Sequence, residues 1–385
     1  MTMSQQPART ARAVDAFGAD LYALLTEQAP DVVFSPASVA SALGMALAGA
    51  RGQTAVELAA ALHLTGPPDA GPTGSGPTGA GLPSLLALLP GGAPDASVTL
   101  RAPSLLWIQS GLALRPEFTA LLEASAVEAD FAHAPEAARA EINRVIAEQT
   151  GGKITGLLPP GVVSVMTRLL ITSAIYLKAA WTDSFAESDT TSAPFYPDGQ
   201  GHPSLTVPMM RAASARSYVR GDGYQAVMLP YRGGLAMAVV LPDGPVAALR
   251  EKLRAGGLAG LLAGAARARV RLSLPKFRLQ ASAELVPVLQ RLGVREAFTG
   301  DADFSGITGA ARLLIDAIVH KAYVEVDEHG TEAAAATGVV FRPTAAFPAV
   351  QQVTMTVDRP FLFAIIYVAT GLPLFLGQVS HPRAP

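Results

Sequence analysis

Few residues of this chain are arranged as the equipment of a catalyst. Its six histidines form no paired motif, and it has no cysteine. Thiol nucleophiles, disulfide frameworks and cysteine-based metal sites are therefore excluded. No Gly-x-Ser-x-Gly elbow presents a serine for acyl transfer, and neither a His-Glu-x-x-His pair nor a P-loop is present. Gly74-Ser75-Gly76-Pro77-Thr78-Gly79 fits Gly-x-Gly-x-x-Gly in form. It stands in a Pro-rich run with no strand before it, so it reads as a chance match. Arg267, Arg269 and Arg271 alternate, which places all three on one strand face. Such a row suits a polyanion, although a plain solvated face is the commoner meaning.

The segment with the most unusual pattern is Val324-Glu325-Val326-Asp327-Glu328-His329-Gly330-Thr331-Glu332-Ala333-Ala334-Ala335-Ala336-Thr337. Four alanines after Thr331-Glu332 favour a helix start, because Ala is the best helix former and Thr can cap. The context opposes that reading. Tyr323–Val326 alternates as a strand, Gly330 interrupts it, and Val339, Val340 and Phe341 favour extended chain. Read as a strand, one face carries Thr331, Ala333, Ala335 and Thr337, and the charges fall on the other. Small side chains of this kind can enter between existing strands without clashes.

Around these residues the sequence predicts an α+β protein. The 385 residues are 50% hydrophobic with a net charge of −2, enough for one large core. The near-neutral charge argues against general nucleic-acid binding. Residues 11–64 read as mainly helical, and 135–150 as a helix ended by Gly151-Gly152. Further helices are expected near 245–262 and 283–292. Strands are expected at 98–109, 168–178, 226–230, 236–241, 270–274 and 317–326. Gly66–Pro83 reads as a surface loop. Phe361–Val379 has no formal charge but is broken at Thr370-Gly371-Leu372-Pro373, so a buried β-hairpin is expected rather than a membrane helix. Met1–Gly18 has no apolar core of the signal-peptide type, which leaves cytoplasmic and extracellular locations both open.

Several blocks, in order, resemble serpins, the serine protease inhibitor family. They are Phe34–Leu43, Ile142-Asn143-Arg144 with Gln149–Ile154 and Leu157–Gly161, Ala174–Lys178 with Trp181 and Phe185, and Val207–Met210. Leu274–Phe277, Asp303–Ile307, His320–Ala322, Arg359–Phe363 and Leu376–Val379 complete the series. The resemblance covers about 11–382 and is closest to bacterial-type inhibitory members. It implies a helical bundle on three β-sheets, forming a single domain after a disordered 1–10 and before a short 383–385 tail. It also implies an exposed reactive-centre loop at about 328–353, a monomer, no cofactor and no enzyme activity.

By the same resemblance, a serine protease attacks the loop and forms an acyl-enzyme. The freed loop then enters the main sheet and carries the protease with it. This is the family's general device, not something read from these residues alone. About 14 inserted residues at ~3.3 Å span roughly 45 Å. The hinge would be Glu328, Gly330, Thr331, Glu332, Ala333, Ala334, Ala335, Ala336 and Thr337. Ser35, Ser38, Asn143, Ser173 and His320 match the shutter beneath the opening sheet. Ser173 stands where the family usually has Asn, so its hydrogen bonds must differ. Trp181, Lys276 and Glu328 match the breach where the loop first enters, with a Lys276–Glu328 ion pair expected there. His329 replaces a common acidic residue.

Counting about 17 residues from Glu328 places the reactive bond at Thr344–Ala345. Counting back from Pro360 lands near Ala349. The hinge anchor is preferred because inserted length is what the mechanism constrains. Arg342 and Phe347 are each followed by proline, whose fixed φ misfits a protease site. Thr344 with Ala345-Ala346 suits elastase-like or subtilisin-like enzymes. The alternative is a non-inhibitory member acting as chaperone, carrier or storage protein.

Overall fold

The computed structural model describes residues 6–64, 98–331 and 351–385. The hinge residues Glu332–Thr337, the Thr344–Ala345 bond and the Gly66–Pro83 loop lie outside them. The chain opens with α1 (Gln6–Leu25), β1 (Val32–Phe34), α2 (Pro36–Gly49) and α3 (Gly52–Ala61). Residues 6–10, expected to be disordered, belong to α1. Pro7 near the helix start explains this, since its fixed φ and missing N–H suit a first turn. Almost every residue of α2 is buried, as its small, apolar sequence requires. Ser35 caps α2, its side chain accepting a hydrogen bond from the Ser38 N–H.

Next come β2 (Val98–Arg101), β3 (Ser104–Gln109), α4 (Pro116–Leu122), β4 (Ala126–Ala129), α5 (Pro135–Gln149) and β5 (Leu169–Ala180). The strand expected over 98–109 is thus two strands, separated at Ala102-Pro103, where proline removes a ladder donor. The later chain contributes β6 (Thr191–Phe195), β7 (Leu205–Gly221), β8 (Tyr224–Pro230), β9 (Leu235–Pro242), α6 (Ala248–Leu261), β10 (Ala266–Pro275) and β11 (Phe277–Glu284). It ends with α7 (Val286–Arg291), β12 (Ala317–Val326), β13 (Gly330–Thr331), β14 (Gln352–Thr356), β15 (Phe361–Tyr367) and β16 (Leu372–Val379). The final hairpin is buried and antiparallel. No described helix is long and apolar enough to cross a membrane.

The strands form a seven-stranded sheet, β11-β12-β13-β5-β3-β4 with β2 also on β5, and a nine-stranded path, β1-β16-β15-β9-β8-β7-β10-β14 with β6 on β7. The 17-residue β7 joins two parts of that path. Its first part pairs with β6 and β10, and its end pairs with β8. The three sheets implied by the resemblance are connected in this way.

The seven-stranded sheet separates two cores. Leu169, Ile171, Ile175, Leu177 and Ala179 of β5 join the main core, while Leu170 and Ala174 join a smaller one with Ile142 and Ile146 of α5. That is the two-residue period of a strand buried on both faces.

Candidate functional site: the seam between β12 and β5

β12 and β5 run parallel and pair over seven positions, from Ala317↔Leu170 to Tyr323↔Tyr176. Above Tyr323 the two strands part, and β13 lies between them. Gly330 and Thr331 pair antiparallel with Ala180 and Ala179, and Thr331 also faces Val326. The seam is therefore closed below and wedged open above.

Gly330 is required at the turn into this wedge. Its φ is +150°, and a Cβ there would lie 2.1 Å from the Ala179 carbonyl oxygen. Asp327 shapes the turn, its Oδ1 accepting hydrogen bonds from the N–H groups of His329 and Gly330 at 2.8 and 3.1 Å. Thr331 is fully buried, and its Oγ1 lies 2.6 Å from the Tyr231 hydroxyl. Burial raises the Tyr231 pKa, so the phenol stays neutral. Trp181 stacks on Tyr231 with ring centroids 4.0 Å apart and donates its indole N–H to the Asp327 carbonyl at 2.9 Å.

Glu328 is 5% exposed. Its Oε2 lies 2.8 Å from Lys276 Nζ, and its Oε1 accepts the Thr190 hydroxyl at 2.7 Å. Burial alone would raise the Glu328 pKa. The hydrogen bonds from Lys276 and Thr190 outweigh it and hold the carboxyl below its usual range. His329 turns outward, its Nε2 3.1 Å from Glu187 Oε1.

Lower in the seam, His320 and Ser173 are register partners. His320 Nε2 accepts the Ser35 backbone N–H at 3.0 Å. That bond leaves the proton on Nδ1, which donates to Ser173 Oγ at 3.0 Å. Ser173 Oγ is 2.8 Å from Ser38 Oγ, which is 3.3 Å from Ser104 Oγ. Complete burial pushes the His320 pKa down to about 3, so the imidazole is neutral.

The seam thus brings Ser35, Ser38, Ser173 and His320 into one relay across α2, β5 and β12. Ser173 bridges the histidine to α2. Asn143 lies on α5 and is not hydrogen-bonded to this relay. Its amide bonds Leu158 twice, donating to the carbonyl at 3.0 Å and accepting the N–H at 2.8 Å. Tyr231, Thr190 and Asp327 also hold the wedge, but neither spacing nor residue type marks them in the sequence. On β10, Arg267, Arg269 and Arg271 are all exposed, alternating with buried Ala268, Val270 and Leu272. Among the described residues, no metal-ligand cluster is present.

Comparison with known proteins supplies the wider frame. A leukocyte elastase inhibitor of Bos taurus is 36% identical over 389 residues, covering 95% of this chain and 97% of that protein. A serpin-like protein of Thermococcus kodakarensis is 37% identical over 378 residues, covering 96% and 85%. The solved structure of Serpin48 from Tenebrio molitor superposes with a TM-score of 0.84 at 27% identity, covering all of both chains. Human thyroxine-binding globulin, solved with its ligand, gives 0.83 at 25% identity over 98% and 99%. The family model for serpins, the serine protease inhibitors, matches residues 12–382. With its seam, wedge and strand order, this chain belongs to the serpin family.

Proposed function

We propose that this protein inhibits serine proteases as a suicide substrate, trapping the acyl-enzyme when its cleaved loop inserts between β12 and β5. The observation that carries this reading is the wedge. β13 already occupies the top of the slot, antiparallel to both neighbours.

Continuing its register residue by residue brings Ala333 opposite Leu177, Thr337 opposite both Ser173 and His320, and Val340 opposite Leu170 and Ala317. Residues 334–340 would then replace the whole parallel β12–β5 ladder. One parallel pairing would become two antiparallel ones, which are slightly more stable per residue. The uncleaved form is held back because its tether limits insertion. Entry of Thr337 would part Ser173 from His320 by one extra strand, about 4.8 Å. It would also place a hydroxyl between them.

With the reactive bond at Thr344–Ala345, the expected targets are elastase-like or subtilisin-like enzymes. Incubation with pancreatic elastase and with subtilisin should give a denaturant-resistant complex and release a C-terminal fragment beginning at Ala345. Cleavage after Arg342 would overturn the bond assignment. The non-inhibitory alternative draws on the similarity to thyroxine-binding globulin, and it predicts cleavage without any complex. Thr331→Arg puts a long charged side chain at a fully buried position. It should leave cleavage intact and abolish trapping, and retained inhibition would contradict insertion.

A further inference from the structure

We propose that the outer face of β7, β10 and β14 docks an acidic surface of the target protease. Positions 211, 213, 215 and 217 of β7, 267, 269, 271 and 273 of β10, and 352, 354 and 356 of β14 are register neighbours on one side of the sheet. None of them is buried. They hold Arg211, Arg267, Arg269 and Arg271, and every other one is Ala, Ser, Thr or Gln. In a chain with 29 basic and 31 acidic residues, a merely solvated face would mix the two signs. Arg211 donates to the Thr191 hydroxyl, and among the described residues none of the four arginines forms an ion pair. Successive arginines of β10 are about 6.6 Å apart along the strand, inside the Debye length of about 10 Å at 0.1 M salt. Like charges this close repel one another, and a carboxylate-rich partner relieves that repulsion.

The place of this face in the chain names the partner. β14 is the strand that follows the reactive-centre segment, and it lies beside β10. The Arg269 N–H donates to the Gln351 carbonyl at 2.8 Å. Arg267 stands beyond the start of β14, on the side from which the chain arrives. From Ala345 to Gln351 the chain reaches at most about 25 Å. A protease of about 250 residues has a radius of gyration of about 18 Å. An enzyme bound at the Thr344–Ala345 bond is therefore large enough to reach the arginines. Charge at such a rim acts mainly on the rate of encounter. The partner follows from the reading of the loop as protease bait, but docking requires neither acylation nor insertion.

The test measures association of the full chain with a subtilisin whose nucleophilic serine is replaced by alanine, so that no acyl bond can form. Two forms of that enzyme are compared, one with glutamates added at the rim of its substrate cleft and one with lysines there. At about 20 mM salt the glutamate form is expected to associate at least about tenfold faster, and the gap should close at about 0.5 M. Combining Arg267→Glu, Arg269→Glu and Arg271→Glu should reverse the order. Arg12→Glu, at an exposed position on α1, should leave both rates within about twofold, since it lies outside the face. Dextran sulfate should slow the glutamate form by occupying the arginines. Equal rates for the two forms, absence of binding, or a preference that survives the triple substitution would overturn the docking face. Acceleration by dextran sulfate would overturn it in favour of a polyanion. Arginine-dependent binding of the inactive enzyme, with no stable complex from the active one, would sink trapping and leave the docking face standing.

Discussion

At the top of the seam a lysine and a glutamate meet at 2.8 Å, their side chains 24% and 6% exposed. Further down β12, His320 is 1% exposed, and its ring nitrogens meet the Ser173 hydroxyl and the Ser35 backbone N–H. The upper latch uses charge because Lys276 still reaches water, which lowers the cost of desolvating the pair. The lower latch is dry, where an unpaired charge would cost several kcal/mol, and it is built from neutral groups. The two can therefore be separated experimentally, since pH and salt act on each differently.

Removing the lower latch should have the largest effect. His320→Ala leaves the Ser35 N–H and Ser173 Oγ without their partner and opens a cavity, so a loss of about 3–5 kcal/mol is expected in urea unfolding. The same residue sets a pH signature. Its folded pKa is about 3, below the unfolded value near 6.5. The unfolded chain therefore binds the extra proton between those values. Stability is fully present above pH 6.5 and is lost on acidification, by up to about 1.4 kcal/mol per unit down to about pH 3. The variant should lack this slope between pH 6 and 5, and an unchanged slope would show that other groups cause it.

Gly330→Ala strikes the upper wedge. A Cβ 2.1 Å from a backbone oxygen forces β13 to move, at a cost of about 2–3 kcal/mol. Faster hydrogen exchange at Ala179 and Ala180 should accompany it, and unchanged exchange would show that the wedge adapts without opening. The smallest effect is expected for the Lys276–Glu328 pair. A double-mutant cycle with Lys276→Met and Glu328→Gln should give a coupling of about 1 kcal/mol, because Lys276 is partly solvated. Zero coupling would reject the pair as a latch. The Glu328 pKa lies below its usual value, so its contribution is present above about pH 4.5 and is lost as pH falls through the lower, folded pKa.

The parts of this fold legible in the sequence are those with strong periodicity or a family block. They include the small-residue, mostly apolar α2, the buried β15–β16 hairpin and the alternation that turns Arg267, Arg269 and Arg271 outward. β7 escaped because its buried face holds no regular apolar row. Arg216, 4% exposed, and Ser214 sit where large aliphatics would have announced a strand. Nη2 and Nε of Arg216 have no hydrogen-bond partner among the described residues, and the guanidinium lies over the Phe185 ring at 5.6 Å. The short β1 was hidden between helical stretches, and it is fixed by pairing with β16, a contact far away in sequence. Residues 283–284 were read as helix but extend β11 through pairing with His320 and Val319. Tertiary hydrogen bonding overrode local propensity there. At the seam, the resemblance names Ser35, Ser38, Ser173 and His320, which the structure brings within hydrogen-bond reach of one another, whereas Tyr231 and Thr190 enter through contacts that no local pattern encodes.

The fixed tautomer of His320 has a spectroscopic consequence. Of the six histidines it alone is buried, and its Nδ1 proton is held between two strands, away from water. Such a proton exchanges slowly enough to give a resolved resonance downfield of the amides, one line for one hydrogen bond. Every event that separates β12 from β5 must extinguish or shift that line. A single imidazole proton therefore serves as a clock for the sheet, timing its opening without label, ligand or protease.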